Sequence, residues 1–371
     1  MMKNLVHLCS DEKFIDIAIE QFEMVKNVKS IFVVCATKPI RYVKSKNIII
    51  LRKKKDVLQF LRQTPCDYVV LHSLYVPLVD ILKIQRPIMW NSWGIDVYSD
   101  ELSPKRKAIT LSLYKPLTRK YIEDSLTIKD WLKKVLRKYY KWDYDRKIGR
   151  IEYVSTVFPE EFDYIKAVNK SIKFFPFRYI TPQKNVTDCS RKSNIDEHYV
   201  LLGNSRDLTN NHLDILSILE SQKEKMTVVM PVSYPQKNEK YVKKLLTFAQ
   251  SLHYVNVMPI VEFMPLSDYL NLVSRCSCAF FGHIRQQAVG NISAALKIGL
   301  KVYLYEESMA YKHYSSMGCR VFSIEKDVND GCLFSSFDEV DKLKNRLIVE
   351  NEFNLENYMK KLQFFFDNQL P

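Results

Sequence analysis

Arg285-Gln286-Gln287 stands between two apolar runs, Cys278–Phe281 and Ile292–Ile298. A cation and two amides at such a hinge suit an anionic ligand. A guanidinium forks onto phosphate oxygens, and Gln286 and Gln287 can bond sugar hydroxyls, with Gly290 and Asn291 at the first turn of the expected helix. A second stretch, GNSRDLTNNH (203–212), also follows a strand pattern and opens a helix. There Gly203 permits close backbone approach, Asn204 and Ser205 supply donors, and free amides at a helix start favour an anion. The same stretch also reads as plain capping by Asp207, Thr209 or Asn210. PVSYPQKN (231–238) and VEFMPLSDY (261–269) complete the set. Tyr234 and Glu262 would border a nucleoside, and Met264 and Pro265 would flank a base, although a plain helix start is the commoner role for a proline such as Pro265.

The first half has its own candidates: Ser10-Asp11, His72, and WNSWGIDVYSD (90–100) with Trp93, Asp96 and Tyr98. A carboxylate beside aromatic rings suits a sugar hydroxyl and can act as a general base. For Asp11 and Asp96 the competing reading is a cap or an Asx turn. For His72 the competing reading is a satisfied core or loop histidine, the commoner role for such a residue.

These residues need elements to hold them. Apolar strand runs alternate with helical patterns through both halves, which argues parallel, doubly wound α/β sheets. Strands are expected at 4–9, 30–36, 47–51, 66–73 and 87–93, then at 199–205, 226–232, 255–260, 278–284, 301–305 and 320–324. Helices fall between them, including one at VPLVDILKI (76–84). Ligands of such sheets sit at the carboxyl ends of the strands, where each candidate lies. Neither GxGxxG nor GxxxxGK[ST] occurs, which disfavours a dehydrogenase or a P-loop kinase.

A chain of 371 residues implies two domains. The expected division is 1–180, 181–197 as a polar linker, 198–350, and a C-terminal helix in 351–371 that packs back on the first domain. The net charge of +14 favours an anionic partner. Residues 103–150 hold fifteen Lys/Arg against five Asp/Glu, so most of the excess lies there. Trp131, Lys133, Lys134, Arg137, Lys138 and Trp142 interleave cations with aromatic rings, as an interfacial helix on anionic headgroups does; a solvated helix is the alternative. No apolar stretch approaches 18 uncharged residues, so no spanning helix is expected. The first strand begins at once, so no signal peptide is expected. The eight cysteines form no CxxC and suggest a reducing compartment.

The ordered set Ser10-Asp11, His72, WNSWGIDVY, LLGNSRDLTNNH, VVMPVSYPQKNEKYV and IRQQAVGNI resembles the TDP-N-acetylfucosamine:lipid II N-acetylfucosaminyltransferase family of enterobacterial common antigen synthesis, glycosyltransferase family 56. The resemblance implies a GT-B fold: two Rossmann-like domains whose parallel sheets face each other across a cleft. It implies a metal-independent glycosyltransferase with no cofactor. A dTDP- or UDP-sugar would bind the second domain through Gly203, Asn204, Ser205, Tyr234, Glu262, Met264, Gln286, Gln287, Gly290 and Asn291. A lipid-linked saccharide would bind the first through His72, Trp93 and Tyr98, at the cytoplasmic face of the bacterial inner membrane. Arg285 would stabilise the leaving diphosphate, and Asp11 or Asp96 would be the base of an inverting reaction. The rival readings are a non-enzymatic nucleotide-sugar or glycan-binding protein and a basic RNA-binding protein, though no nucleic-acid module accompanies the charge.

Overall fold

The computed structural model describes residues 2–100, 109–128, 130, 132, 136–180, 198–235, 238–328 and 333–371. The expected linker, 181–197, lies outside the described residues. The chain divides into two compact units. Unit 1 comprises Met1–Thr110, Leu132–Pro182 and Phe353–Pro371; unit 2 comprises Leu111–Trp131 and Gln183–Glu352.

Unit 1 is built on a seven-stranded sheet. Its strands are Lys3–Cys9 (β1), Val28–Cys35 (β2), Ile49–Leu51 (β3), Tyr68–His72 (β4), Ile88–Asn91 (β5), Ile151–Ser155 (β8) and Lys173–Phe174 (β9). Tyr98–Asp100 (β6) and Ile109–Leu111 (β7) form a separate ribbon. The sheet order is β3-β2-β1-β4-β5-β8-β9, and every pairing is parallel. Parallel strands are covered on both faces and so read as continuous apolar runs; β4 and β5 are buried at every residue. Helices Ile15–Glu23 (α1), Lys54–Gln63 (α2), Arg137–Ile148 (α4), Glu161–Val168 (α5) and Leu355–Asn368 (α12) complete the unit. The last helix buries Tyr358, Leu362, Phe365 and Phe366 in a core that also holds Phe22, Phe175 and Phe177. The Arg178 amide donates to the Tyr358 hydroxyl at 2.6 Å.

One expected helix is absent. Of VPLVDILKI only Ile81–Lys83 is helical, as a 3-10 segment. Pro77 disfavours helical backbone at Val76, and Leu78 sits in the left-handed region at φ 66°.

Unit 2 carries a six-stranded sheet of Tyr199–Leu202 (β10), Met226–Pro231 (β11), Val255–Ile260 (β12), Cys278–Phe281 (β13), Lys301–Leu304 (β14) and Phe322–Ser323 (β15). Its order is β12-β11-β10-β13-β14-β15, again parallel throughout. Its helices are Pro116–Asp124 (α3), His212–Ser221 (α6), Glu239–Ala249 (α7), Leu266–Val273 (α8), Val289–Ile298 (α9), Met309–Ser316 (α10) and Glu339–Glu352 (α11). Counted within each unit, the strand order reverses beside the first strand, between β1 and β4 and between β10 and β13. Loops that leave the carboxyl ends of those paired strands diverge and leave a crevice.

The placement of α3 corrects the domain reading, which put all of 103–150 in the first domain. The amides at the start of a helix have no intrahelical acceptor. In α3 an acid of α6 supplies it: Asp214 accepts from Leu117 N at 2.7 Å, Thr118 N at 3.0 Å and Thr118 Oγ1 at 2.7 Å. Lys115 N donates to Asn211 Oδ1 at 2.9 Å. These bonds fasten 111–131 to unit 2.

Candidate active site

The loops after β10 and β13, on either side of the reversal in unit 2, interlock. Asn210, fully buried, is the knot. Its Oδ1 accepts from Asn204 N at 3.1 Å and pairs with His283 Nε2 at 2.8 Å. Its Nδ2 donates to Ser205 O at 3.0 Å and Asp207 O at 2.9 Å. Its neighbour Asn211 donates to Gly282 O at 2.7 Å. Two glycines make this approach possible. A Cβ on Gly282 would lie 2.3 Å from the Asn210 carbonyl oxygen, and one on Gly203, at φ 69°, 2.5 Å from Asn210 Oδ1.

Above the knot, Thr209 Oγ1 donates to Gln287 Oε1 at 2.6 Å, and Gln287 Nε2 donates to Asn204 Oδ1 at 3.3 Å. Asp207 caps the 3-10 turn Leu208–Asn210, accepting from Thr209 N at 3.0 Å. The capping reading of this loop therefore holds for Asp207. Burial works to raise the Asp207 carboxyl, but the Arg285 charge and the Thr209 bonds hold it below the usual carboxylate range. Arg206 pins the next loop, donating through Nε to Val232 O at 2.6 Å.

Arg285 is half-buried, and its one hydrogen bond among the described residues runs from Nη1 to the carbonyl of Gln286 at 3.2 Å. Just beyond it, α9 begins after Ala288, and no side chain caps it. Its first amides are open to an anion, with Gly290 exposed and Asn291 half-buried. The amides of Gly203 and Asn204 differ from expectation. The first donates to Phe280 O at 2.8 Å and the second to Asn210, so neither is free for an anion. Tyr234 is 67% exposed, Glu262 is exposed and Met264 half-buried; all lie at the carboxyl ends of β11 and β12.

In unit 1 the geometry revises several roles. Asp96 is fully buried. It accepts from Leu74 N at 2.8 Å, Trp93 N at 2.7 Å and Trp90 Nε1 at 3.1 Å, the capping arrangement, with no face left for an acceptor hydroxyl. Burial pushes its carboxyl up to about 6 against those bonds. Tyr98 is buried too, and its hydroxyl donates to Glu161, whose carboxyl burial pushes up to about 7. Asp11 accepts from the amides of Arg41, Tyr42 and Val43 at 2.7, 2.9 and 3.0 Å. Burial works to raise its carboxyl, but these amides outweigh it and hold the group low, which makes it a loop clamp and a weak base.

His72 is buried and belongs to a chain of polar groups. The Trp93 indole donates to Tyr179 Oη at 3.0 Å. The Tyr179 hydroxyl is then left to donate to His72 Nδ1 at 2.7 Å. His72 Nε2 in turn meets His7 Nδ1 at 3.0 Å, and His7 Nε2 meets Ser30 Oγ at 3.2 Å. Burial lowers both imidazoles, His72 to about 3, so both are neutral hydrogen-bonding groups. Only Trp93, half-buried, remains open among the three expected acceptor residues. Trp131, Lys133 and Lys134 lie outside the described residues, as do the side chains of Arg137 and Lys138 on α4; Trp142 is 55% exposed. Asn210, His283, Thr209, Tyr179 and His7 were absent from the candidates. GNSRDLTNNH had pointed to Thr209 and Asn210, but only as caps.

Solved structures share this architecture at low identity. Alpha,alpha-trehalose 6-phosphate synthase from Burkholderia multivorans matches with a TM-score of 0.61 and 7% identity, over 99% of this chain and 96% of that one. A glycosyltransferase from Rickettsia africae ESF-5 matches at 0.60 and 11%, over 97% and 96%. The lipopolysaccharide outer core galactosyltransferase WaaB matches at 0.57 and 9%, over 99% and 100%. The fold is GT-B, with two Rossmann-like domains. A sequence model of the 4-alpha-L-fucosyltransferase family, glycosyl transferase group 56, matches residues 144–363, more than half of this chain, and the chain belongs to that family.

Proposed function

We propose that this glycosyltransferase moves an acetamido-dideoxyhexose, such as 4-acetamido-4,6-dideoxygalactose, from a dTDP or UDP carrier to an undecaprenyl-diphosphate-linked glycan in bacterial surface polysaccharide synthesis. Unit 2 takes the nucleotide sugar and unit 1 the acceptor. The observation that carries the donor assignment is Arg285 beside the uncapped start of α9, at the strand-order reversal of unit 2. As the sugar–phosphate bond breaks, charge builds on the leaving diphosphate. A guanidinium and oriented amides already in place stabilise that charge. Gln286 and Asn291 orient phosphate or sugar; Gln287, bonded to Thr209 and Asn204, holds the rim of the pocket. Tyr234, Glu262 and Met264 border the nucleoside.

The acceptor's lipid carrier places the protein on a membrane, at the cytoplasmic face of the inner membrane. No helix among the described residues is long and apolar enough to cross one, so contact would be peripheral. The basic segment 103–150 and the exposed Ile128, Leu132, Leu136 and Trp142 support that reading.

The test presents an undecaprenyl-diphosphate-linked saccharide in anionic liposomes with sugar-labelled dTDP-4-acetamido-4,6-dideoxygalactose. Label should pass to the lipid, and the protein should sediment with the vesicles. Transfer to a water-soluble glycan alone, with no vesicle binding, would remove the lipid-linked acceptor from this reading.

A further inference from the structure

The mouth of unit 1 holds a carboxylate that neither the sequence reading nor the mechanism above uses. Glu12 follows β1 by three residues, at the carboxyl end of the strand where the sheet order reverses. Among the described residues its side chain makes no hydrogen bond and no ion pair, and it is half-buried. Its two acidic neighbours are both committed. Asp11 clamps the amides of Arg41, Tyr42 and Val43, and Asp16 accepts from the amides of Lys44 and Ser45 at 2.9 and 3.0 Å. Asp96, the other candidate base of this end, is sealed.

Two residues after Glu12, Phe14 opens an aromatic wall. Phe14 is 44% exposed. Its ring lies 6.0 Å from that of Trp93, edge to face, and 5.7 Å from that of Tyr179. The Trp93–Tyr179–His72 hydrogen bonds fix this wall from behind. Aromatic faces and one unengaged carboxylate at the same strand mouth suit a sugar ring whose hydroxyl must lose a proton.

We propose that Glu12 is the general base that activates the acceptor hydroxyl, with Phe14 and Trp93 as the platform for the acceptor sugar. This rests on the acceptor assignment of unit 1 made above. The acceptor oxygen attacks the anomeric carbon, whose bond to the donor phosphate oxygen breaks. The electron pair leaves with the nucleoside diphosphate. The hydroxyl proton passes to Glu12 and from there to water. One displacement of this kind inverts the anomeric centre.

The charged groups acting on Glu12 are Asp11 and Lys13. Burial first, and then the Asp11 charge, raise its carboxyl above the usual value, and Lys13 opposes them. A carboxyl raised in this way is the better proton acceptor near neutrality. The base works deprotonated, so kcat/KM should rise with pH through an apparent pKa above that of an ordinary glutamate.

The experiment compares wild type, Glu12→Gln and Glu12→Asp in transfer from the labelled dTDP-sugar to the undecaprenyl-diphosphate-linked saccharide. It also records the pH profile, the anomeric configuration of the product and stabilisation by dTDP. Glu12→Gln should lower kcat by about 100-fold or more, lose the acidic limb and keep the dTDP stabilisation. Glu12→Asp should regain part of the rate. A product with retained configuration, or Glu12→Gln within about twofold of wild type, overturns the base while leaving the transferase reading intact. Wild type that transfers sugar from no nucleotide donor overturns both.

Discussion

Arg285→Ala should lower turnover by about 100-fold or more, the scale on which a lost electrostatic donor acts at a developing charge. Among the described residues the side chain has no competing ion pair, and its one hydrogen bond goes to its own neighbour's carbonyl. Nothing in that contact needs a cation. Asp207 feels the charge, yet it accepts from the Thr209 amide and keeps its cap when Arg285 is gone. Folding should therefore change little while the chemistry suffers. Arg285→Lys should recover part of the loss, since an ammonium supplies charge without the two-pronged geometry. Alanine turnover near that of wild type would remove Arg285 from the leaving-group site.

Among alanine changes at the donor site, Asn210→Ala should produce the largest loss of stability, roughly 3 kcal/mol or more. The change strips an acceptor from Asn204 N and His283 and leaves the Ser205 carbonyl without its donor, while the Asp207 carbonyl keeps the backbone amide of residue 210. Each buried group so abandoned costs about 1–3 kcal/mol, and linked bonds fail together. For a unit of this size the melting temperature should drop by about 6–12 °C. Asn210→Asp keeps Oδ1 but sets a buried carboxylate oxygen against the Ser205 and Asp207 carbonyls, so it should be no milder than alanine. A loss under about 1 kcal/mol for alanine would mean that the two loops hold their shape without this residue.

Much of the fold was legible because parallel strands bury both faces and announce themselves as apolar runs. CAFF and YVLL became β13 and β10, and the polar residues after them fell where the strand order reverses. The family resemblance, drawn from short ordered blocks, holds. What escaped was decided by contacts far apart in sequence. Asp214 draws α3 into unit 2 across 96 residues, and local pattern carries no trace of that bond. WGIDVY looks like an exposed turn, yet Leu74 and Glu161 enclose Asp96 and Tyr98. Asn210 resembles a cap because caps and loop-locking amides use the same side chain. Glu12 was hidden by Asp11, the more familiar-looking residue of the pair.

The central claim is that the loops after β10 and β13 hold a sugar diphosphate, and a thermal-shift panel of UDP, dTDP and GDP on wild type and Arg285→Ala tests it most directly. One of the three should stabilise wild type by about 2.7 kcal/mol at a hundred times its Kd, and Arg285→Ala should need markedly more of it for the same shift. If none of the three stabilises wild type, or if the best one stabilises the alanine variant equally well, the donor site is not where this account puts it.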